Sequence, residues 1–129
     1  MITREEAVRR HRELWNKIAE VLERKDFDIS KYYNEDGDFY DVDSIKRDIL
    51  LELGYKEMPS CNCWCCEYDD QFEGLCDNCP IKFSKKSCMG SEWSDFTEAI
   101  EEENIGNAII IARHIANLPE KEIEHEPLD

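Results

Sequence analysis

The sequence predicts a small, mostly α-helical, single-domain bundle that carries a zinc-stapled, cysteine-rich loop. Three observations lead to this fold class. The chain has 129 residues, of which 41% are hydrophobic, and this is enough for one core. Apolar residues recur at helical spacing near the start and the end of the chain. All seven cysteines fall within 28 positions in the middle, where turn residues leave no clear helix or strand period.

The chain is predicted to be one domain over residues 1–129, with five parts in sequence order. These parts are an N-terminal helix (1–25), an acidic and aromatic segment with a short helix (26–58), a zinc-binding cysteine loop (59–90), the C-terminal helices (91–119) and a polar tail (120–129). No internal repeat is present, so each part needs its own explanation.

The first helix is expected to run from about Arg4 to Arg24. Thr3 and Glu6 have the spacing of a capping box, in which each side chain bonds to the other's backbone amide. One apolar stripe follows at steps of three and four residues, and its members are Ala7, Val8, His11, Leu14, Trp15, Ile18, Val21 and Leu22. This spacing predicts that one side of the helix faces the core.

The second part begins with an expected turn at Asp36 and Gly37, because such pairs favour tight turns between short extended flanks. The flanks contain Tyr32, Tyr33, Phe39 and Tyr40. Asp43 is then expected to cap a helix through SIKRDILLEL, which Gly54 ends.

Two helices are expected in the C-terminal third. The first starts at Ser91 or Ser94 and runs through WSDFTEAIEEE. Asn107 is expected to cap the second, and Pro119 marks its end. The apolar run of this last helix is almost continuous, so we predict that residues 108–118 form the central element of the core.

The cysteines suggest a metal site. They form two C-x2-C pairs, nine residues apart, whose members are Cys63, Cys66, Cys76 and Cys79. Two such pairs can aim four thiolates at one ion in a tetrahedral zinc site. Four thiolates close the coordination shell, so the predicted Zn²⁺ is structural and holds a loop that has little apolar content.

The ligand set leaves alternatives open. Cys61 could replace Cys63, and Cys88 could replace an outer ligand. Cys65 lies between two candidate ligands and is expected to pack inward. Buried free thiols and an iron–sulfur cluster are the competing interpretations.

Enzymatic interpretations are less well supported, and we predict that the chain is not an enzyme. His11 followed by Glu13 lacks the rest of a zinc deaminase signature, because proline follows the later cysteine pair. We interpret His11 as a hydrogen-bonded histidine that packs on Trp15, and His114 as a residue at the edge of the core. No glycine-rich phosphate loop is present.

The charge limits the classes of partner. The formal net charge is −15, and residues 91–129 carry 11 acidic and 2 basic side chains. This excess disfavours a protein that binds the phosphates of nucleic acid or anionic lipid. No apolar run is long enough for a membrane span, and the start, MITREEAVRR, has no secretory signal.

Two groups of carboxylates are candidate binding residues. The first is Asp36, Asp38, Asp41 and Asp43, and the second is Glu98, Glu101, Glu102 and Glu103. A solvated helix surface is the simpler interpretation of such groups, and an acidic surface for a basic partner is the more specific one.

Four pieces occur in the order HRELWNKIAE, CWCCEY with CDNCPI, SEW, and ARHIANLPE. This order resembles a group of small, functionally uncharacterised proteins of phages and prophages of Gram-positive bacteria. The resemblance covers most of the chain except residues 26–58. It implies that Cys63, Cys66, Cys76 and Cys79 are the paired cysteines, that a later cysteine matches Cys88, and that the protein acts in the bacterial cytoplasm in an accessory role.

Together these observations predict a non-enzymatic accessory protein with structural zinc that modulates or inhibits a host or defence protein, with its carboxylates imitating phosphates. One alternative is a zinc-knuckle module that binds nucleic acid or assists transcription, supported by Trp64, Lys82, Phe83, Lys85 and Lys86. A second is a small-molecule sponge or sensor that uses the aromatic residues near the Asp36–Gly37 turn.

Overall fold

The computed structural model describes residues 2–34, 39–57, 59, 64–70, 79–83 and 92–120. Within these residues the elements are helix α1 (Arg4–Leu22), a 3₁₀ turn (Ile29–Tyr32), strands β1 (Tyr33–Asn34) and β2 (Phe39–Tyr40), and helices α2 (Val42–Glu52), α3 (Trp64–Asp70), α4 (Glu92–Glu101) and α5 (Ile105–Ala116). This mostly helical architecture in a small single domain confirms the helical part of the predicted fold class.

Helix α1 starts as its sequence predicts. The Thr3 hydroxyl accepts a hydrogen bond from the Glu6 amide at 3.1 Å, which satisfies one of the free amides of the first turn. The apolar stripe is buried along the helix, and Leu14 and Ile18 are almost fully enclosed. The helix ends at Leu22, two residues before the predicted Arg24.

The second part also forms the expected elements, with a different cap. Strands β1 and β2 pair antiparallel, and residues 35–38, on which the predicted turn falls, lie outside the described residues. Asp41, not Asp43, caps α2, because its carboxylate accepts from the amide of Ser44 at 3.1 Å. Gly54 follows the helix with φ of 97°, a left-handed conformation that favours glycine.

Helix α3 contradicts the prediction that the cysteine region has no regular element. Trp64, Cys65 and Asp69 are buried, so the helix presents one side to the core. Seven residues make only two turns, which is too short for an apolar period to be recognised.

The connection between α4 and α5 differs from the prediction. Asn104, not Asn107, caps α5, since the Asn104 side chain accepts from the Asn107 amide at 3.2 Å. Gly106 therefore lies inside the first turn of α5. On this helix only one side is buried, and Ile110 is 67% exposed.

Helix α1, rather than residues 108–118, is the element on which most others pack. It contacts α2, α3 and α5, and α5 contacts α4 in turn. Trp15 of α1 meets Phe96 of α4 edge to face, with ring centroids 5.0 Å apart. None of the helices in the described parts of the chain combines the length and the apolar character that a membrane crossing requires.

Residues 79–83 are fixed to one end of the bundle, where the start of α1 lies beside the residues that follow α5. Ile81 is fully buried. The amide of Lys82 donates to the Pro119 carbonyl at 2.8 Å, just beyond α5, and Arg4 donates to the Pro80 carbonyl at 3.4 Å. These bonds place Cys79 next to the start of α1.

Candidate functional site

Two of the four predicted zinc ligands are described, and both lie against the helical core. Cys66 is half-buried on α3, and Cys79 is half-buried at the start of residues 79–83. The other two, Cys63 and Cys76, lie outside the described residues, as do Cys61 and Cys88. Cys65 is fully buried, as expected of a cysteine that packs inward.

The described cysteines suit soft-metal ligands in their chemistry. Cys65, Cys66 and Cys79 are not joined in disulfides. Thiolate ligands require this reduced state. Within the described segments, no three His, Cys, Asp or Glu side chains form a group that could hold a metal ion. Any four-thiolate site must therefore include residues from outside these segments.

The two candidate catalytic histidines have different surroundings. His11 is 1% exposed, and its Nε2 lies 3.1 Å from the carbonyl oxygen of Ile115, which links α1 to α5. Its ring meets Phe83 edge to face. The predicted hydrogen-bonded histidine is therefore present. His114 is 61% exposed, so its prediction as a core-edge residue is wrong, and its Nε2 lies 3.5 Å from the carboxylate of the buried Glu92.

The two predicted acidic groups meet at one point. The hydroxyl of Tyr40, directly before Asp41, is hydrogen-bonded to the carboxylate of Glu103, which lies two residues after α4. Burial and this hydrogen bond raise the pKa of Tyr40. Strand β2 also contacts α4 along its length. We call the described members of the two groups the acidic surface, which comprises Asp41, Asp43, Glu98, Glu101, Glu102 and Glu103; Asp36 and Asp38 lie outside the described residues.

The carboxylates of the acidic surface are open to solvent and lack cationic partners. All except the half-buried Asp41 are exposed. No lysine, arginine or histidine in the described part of the chain forms an ion pair with any of them. Their negative charge is therefore not neutralised by described cations.

The structure supports a nucleic-acid module less well than the sequence does. Lys82 is exposed, but Phe83 is half-buried and packs on His11. Lys85 and Lys86 lie outside the described residues. Trp64 is buried, so its ring is not available for stacking on a base.

The aromatic segment forms contacts within itself. Tyr33 and Tyr40 pack across the strand pair with ring centroids 5.0 Å apart, and Tyr32 stacks on Phe27. The Tyr32 hydroxyl donates to Asp48 at 2.8 Å. Burial, followed by this hydrogen bond, raises the pKa of Tyr32 to about 12.

A pocket of about 350 Å³ lies elsewhere, between α1, the residues after α2, and α3. Its lining is Arg10, Tyr55, Lys56, Glu57, Pro59, Trp64 and Glu67. No sequence pattern predicts this pocket, because its lining residues come from three separate segments. The presence of an arginine, a tyrosine and a tryptophan, which often line binding sites, was the only available signal.

Comparison of the chain with protein-family models, with curated proteins and with solved structures finds no match. The function is therefore argued from the residues and their geometry.

Proposed function

We propose that the chain is a non-enzymatic accessory protein of phage type that binds a basic surface on a host or defence protein. The acidic surface is the binding region, and its carboxylates take the places of nucleic-acid phosphates in the partner's groove. The observation that carries the proposal is the hydrogen bond between Tyr40 and Glu103, which brings the start of α2 and the end of α4 together.

The position of the carboxylates supports a role outside folding. Glu98 and Glu101 lie in the last turn of α4, which contains no basic residue. The C-terminal end of a helix carries partial negative charge, so carboxylates there are unfavourable by roughly 0.3–1 kcal/mol each. Residues that reduce stability in this way are better explained by binding than by folding.

The backbone at Glu103 supports the same interpretation. Glu103 has φ of 57°, the left-handed conformation that usually ends a helix with glycine. A side chain in this conformation costs about 1 kcal/mol relative to glycine. The chain nevertheless places a carboxylate at this position, where it is exposed and adds to the acidic surface.

Zinc has a structural role in this proposal. Cys63, Cys66, Cys76 and Cys79 would hold the ion. The residue spacing and the reduced, half-buried state of Cys66 and Cys79 support this assignment. Because Cys66 is on α3 and Cys79 is tied to both α1 and the end of α5, the metal would link the cysteine segment to the bundle.

The experiment is affinity capture from a nuclease-treated lysate of a Gram-positive bacterium, with elution by increasing salt and identification by mass spectrometry. The test variant is E98Q/E101Q/E102Q. The matched control, E5Q/D26N/D95N, removes three other exposed carboxylates, one of them on α4. We expect a basic protein that the wild type and the control retain and the test variant loses.

A captured partner permits a second measurement. If the carboxylates imitate phosphates, duplex DNA competes with the chain for the partner, and the affinity of the chain falls as salt rises. Equal capture by the test variant and by the wild type contradicts the role of the acidic surface. Recovery of nucleic acid without a protein favours the zinc-knuckle alternative.

A further inference from the structure

We propose that the pocket between α1 and α3 binds a small zwitterion, such as a free α-amino acid. This inference is independent of the acidic surface, because the two sets of residues do not overlap. It is a second binding activity, and it assigns a location to the small-molecule hypothesis that differs from the aromatic residues around the strand pair.

The wall of the pocket is held in place before any ligand binds. The guanidinium carbon of Arg10 lies 4.5 Å from the ring centroid of Trp64 and 5.1 Å from that of Tyr55. The two rings are themselves 5.0 Å apart. Contacts of this kind between arginine and aromatic faces fix the plane of the guanidinium.

Two carboxylates of α1 hold the polar ends of this wall. Glu6 accepts from Nε of Arg10 at 2.6 Å, and Glu13 accepts from the hydroxyl of Tyr55 at 2.7 Å. The two terminal nitrogens of Arg10 have no hydrogen-bond partner among the described residues. A fixed guanidinium with open N–H groups is well suited to a carboxylate, which it can bind through two hydrogen bonds.

The other charges in the lining determine which second group a ligand with a carboxylate needs. Lys56 adds a second cation to the pocket, whereas Glu57 and Glu67 add two anions. The lining is therefore neutral in sum, so a phosphate or a dicarboxylate meets two carboxylates as well as two cations. A ligand with one carboxylate for Arg10 and one ammonium for the exposed Glu57 satisfies both kinds of charge.

The size of the pocket agrees with this class of ligand. A volume of about 350 Å³ lies at the lower end of the range for small-molecule sites. The half-buried ring of Tyr55 supplies apolar surface for a ligand side chain. We therefore expect amino acids with an apolar or aromatic side chain to bind more tightly than glycine.

The test is titration of the full chain with glycine, L-leucine and L-phenylalanine, followed by calorimetry and by backbone amide NMR. The comparison ions carry charge of one sign only: acetate and inorganic phosphate are anions, and methylammonium is a cation. We expect saturable binding of the amino acids, with shifts of the amides around Arg10, Tyr55 and Trp64, and weaker binding of all three comparison ions.

The variant R10K tests the residue that carries the inference. It keeps the charge but loses the planar fork, so affinity is expected to fall about tenfold. Its control is R9K, because Arg9 is bound to the same Glu6 and does not line the pocket. K56Q changes an exposed side chain of the lining, and we expect several-fold weaker binding even if R10K does not fold.

Three results would overturn the proposal. One is the lack of saturable binding of every amino acid at concentrations on the order of 10 mM. Another is equally tight binding of acetate or phosphate, which identifies a plain anion site. The third is unchanged affinity in both folded R10K and K56Q.

Discussion

Charged side chains are used differently on α1 and on the acidic surface. On α1, Glu6 binds Arg9 and Arg10. Lys17 of α1 and Arg24, two residues after the helix, both bind Glu52 of α2. On the acidic surface, no described cation forms an ion pair with any carboxylate. The first region satisfies its charges within the chain, whereas the second presents them to solvent.

The difference shows why net charge alone is a poor guide to a binding surface. The first 25 residues carry 7 basic and 5 acidic side chains, which makes α1 look like the cationic end of the molecule. Most of those cations are already bound to carboxylates. Among the described residues, the carboxylates at the start of α2 and the end of α4 form a group of charges that has no cationic partner.

The largest effect is expected from metal removal, because the predicted ligand Cys66 lies on α3, which packs on α1. Structural zinc contributes on the order of 10 kcal/mol in small zinc-folded peptides. We therefore expect C66A to lose its metal and to unfold at a much lower temperature than the wild type. Metal content by mass spectrometry and thermal unfolding by circular dichroism measure the two effects.

The neighbouring cysteine provides the control. Cys65 is buried in the core and is not a predicted ligand, so C65A is expected to keep the metal and to lose only about 1–2 kcal/mol. Equal metal content in C66A and in the wild type would exclude Cys66 as a ligand.

The second largest effect is expected in the core beneath α1. Trp15 is 2% exposed and packs on Phe96 of α4. Trp15→Ala is expected to reduce the free energy of unfolding by about 3–5 kcal/mol because it leaves a cavity. Urea denaturation measures this loss, and Ile110→Ala, at an exposed position of α5, is expected to change it by less than about 0.5 kcal/mol. A large loss in the Ile110 variant would show that this side of α5 is covered.

The sequence was sufficient for the long elements and insufficient for the short one. Nineteen residues of α1 repeat the apolar period several times, so its start and its buried side could be predicted. Helix α3 has seven residues, and tertiary contacts of Trp64 and Cys65 with the core stabilise it rather than a local pattern.

The caps show a second limit. Asp41 and Asp43 are both good capping residues, as are Asn104 and Asn107, and local chemistry does not choose between them. The choice follows from where the preceding segment packs. Tyr40, directly before Asp41, is held by Glu103, and this contact joins residues 63 positions apart. The same contact creates the acidic surface, so its assembly could not be read from the sequence.

The third largest effect is expected at Glu103 of the acidic surface, where one substitution changes both stability and binding. Glu103→Gly relieves the left-handed backbone but also removes the acceptor of the Tyr40 hydroxyl, so its reference is Glu103→Ala, which loses the same acceptor and keeps the backbone strain. We expect the free energy of unfolding of Glu103→Gly to exceed that of Glu103→Ala by about 0.5–1 kcal/mol. The same change removes a carboxylate and weakens binding to a basic partner. Urea denaturation and the capture assay measure the two effects.

The opposite substitution elsewhere is the control. Gly54 also has a positive φ, and Gly54→Ala is expected to reduce stability by about 1 kcal/mol because alanine is strained there. If Glu103→Gly is no more stable than Glu103→Ala, the backbone at Glu103 is not strained and one argument for a binding role is lost.

The smallest effect concerns the paired charges of α1 and depends on pH. Hydrogen bonds from Arg9 and Arg10 lower the pKa of Glu6 from 4.5 to about 2, which means that folding favours its ionised form. This contribution to stability is fully present above pH 4.5 and is lost as the pH falls towards 2. Glu6→Gln should therefore be less stable than the wild type at neutral pH, and the difference should shrink in acid. The difference in stability is expected to be small because Glu6 and its arginines face water.

Urea denaturation across this pH range measures this difference, with Glu5→Gln as the control, since Glu5 is exposed on the same turn and forms no described ion pair. A gap that is independent of pH, or equal in the two variants, would mean that the pairs on α1 do not hold its charges in the way that distinguishes it from the acidic surface.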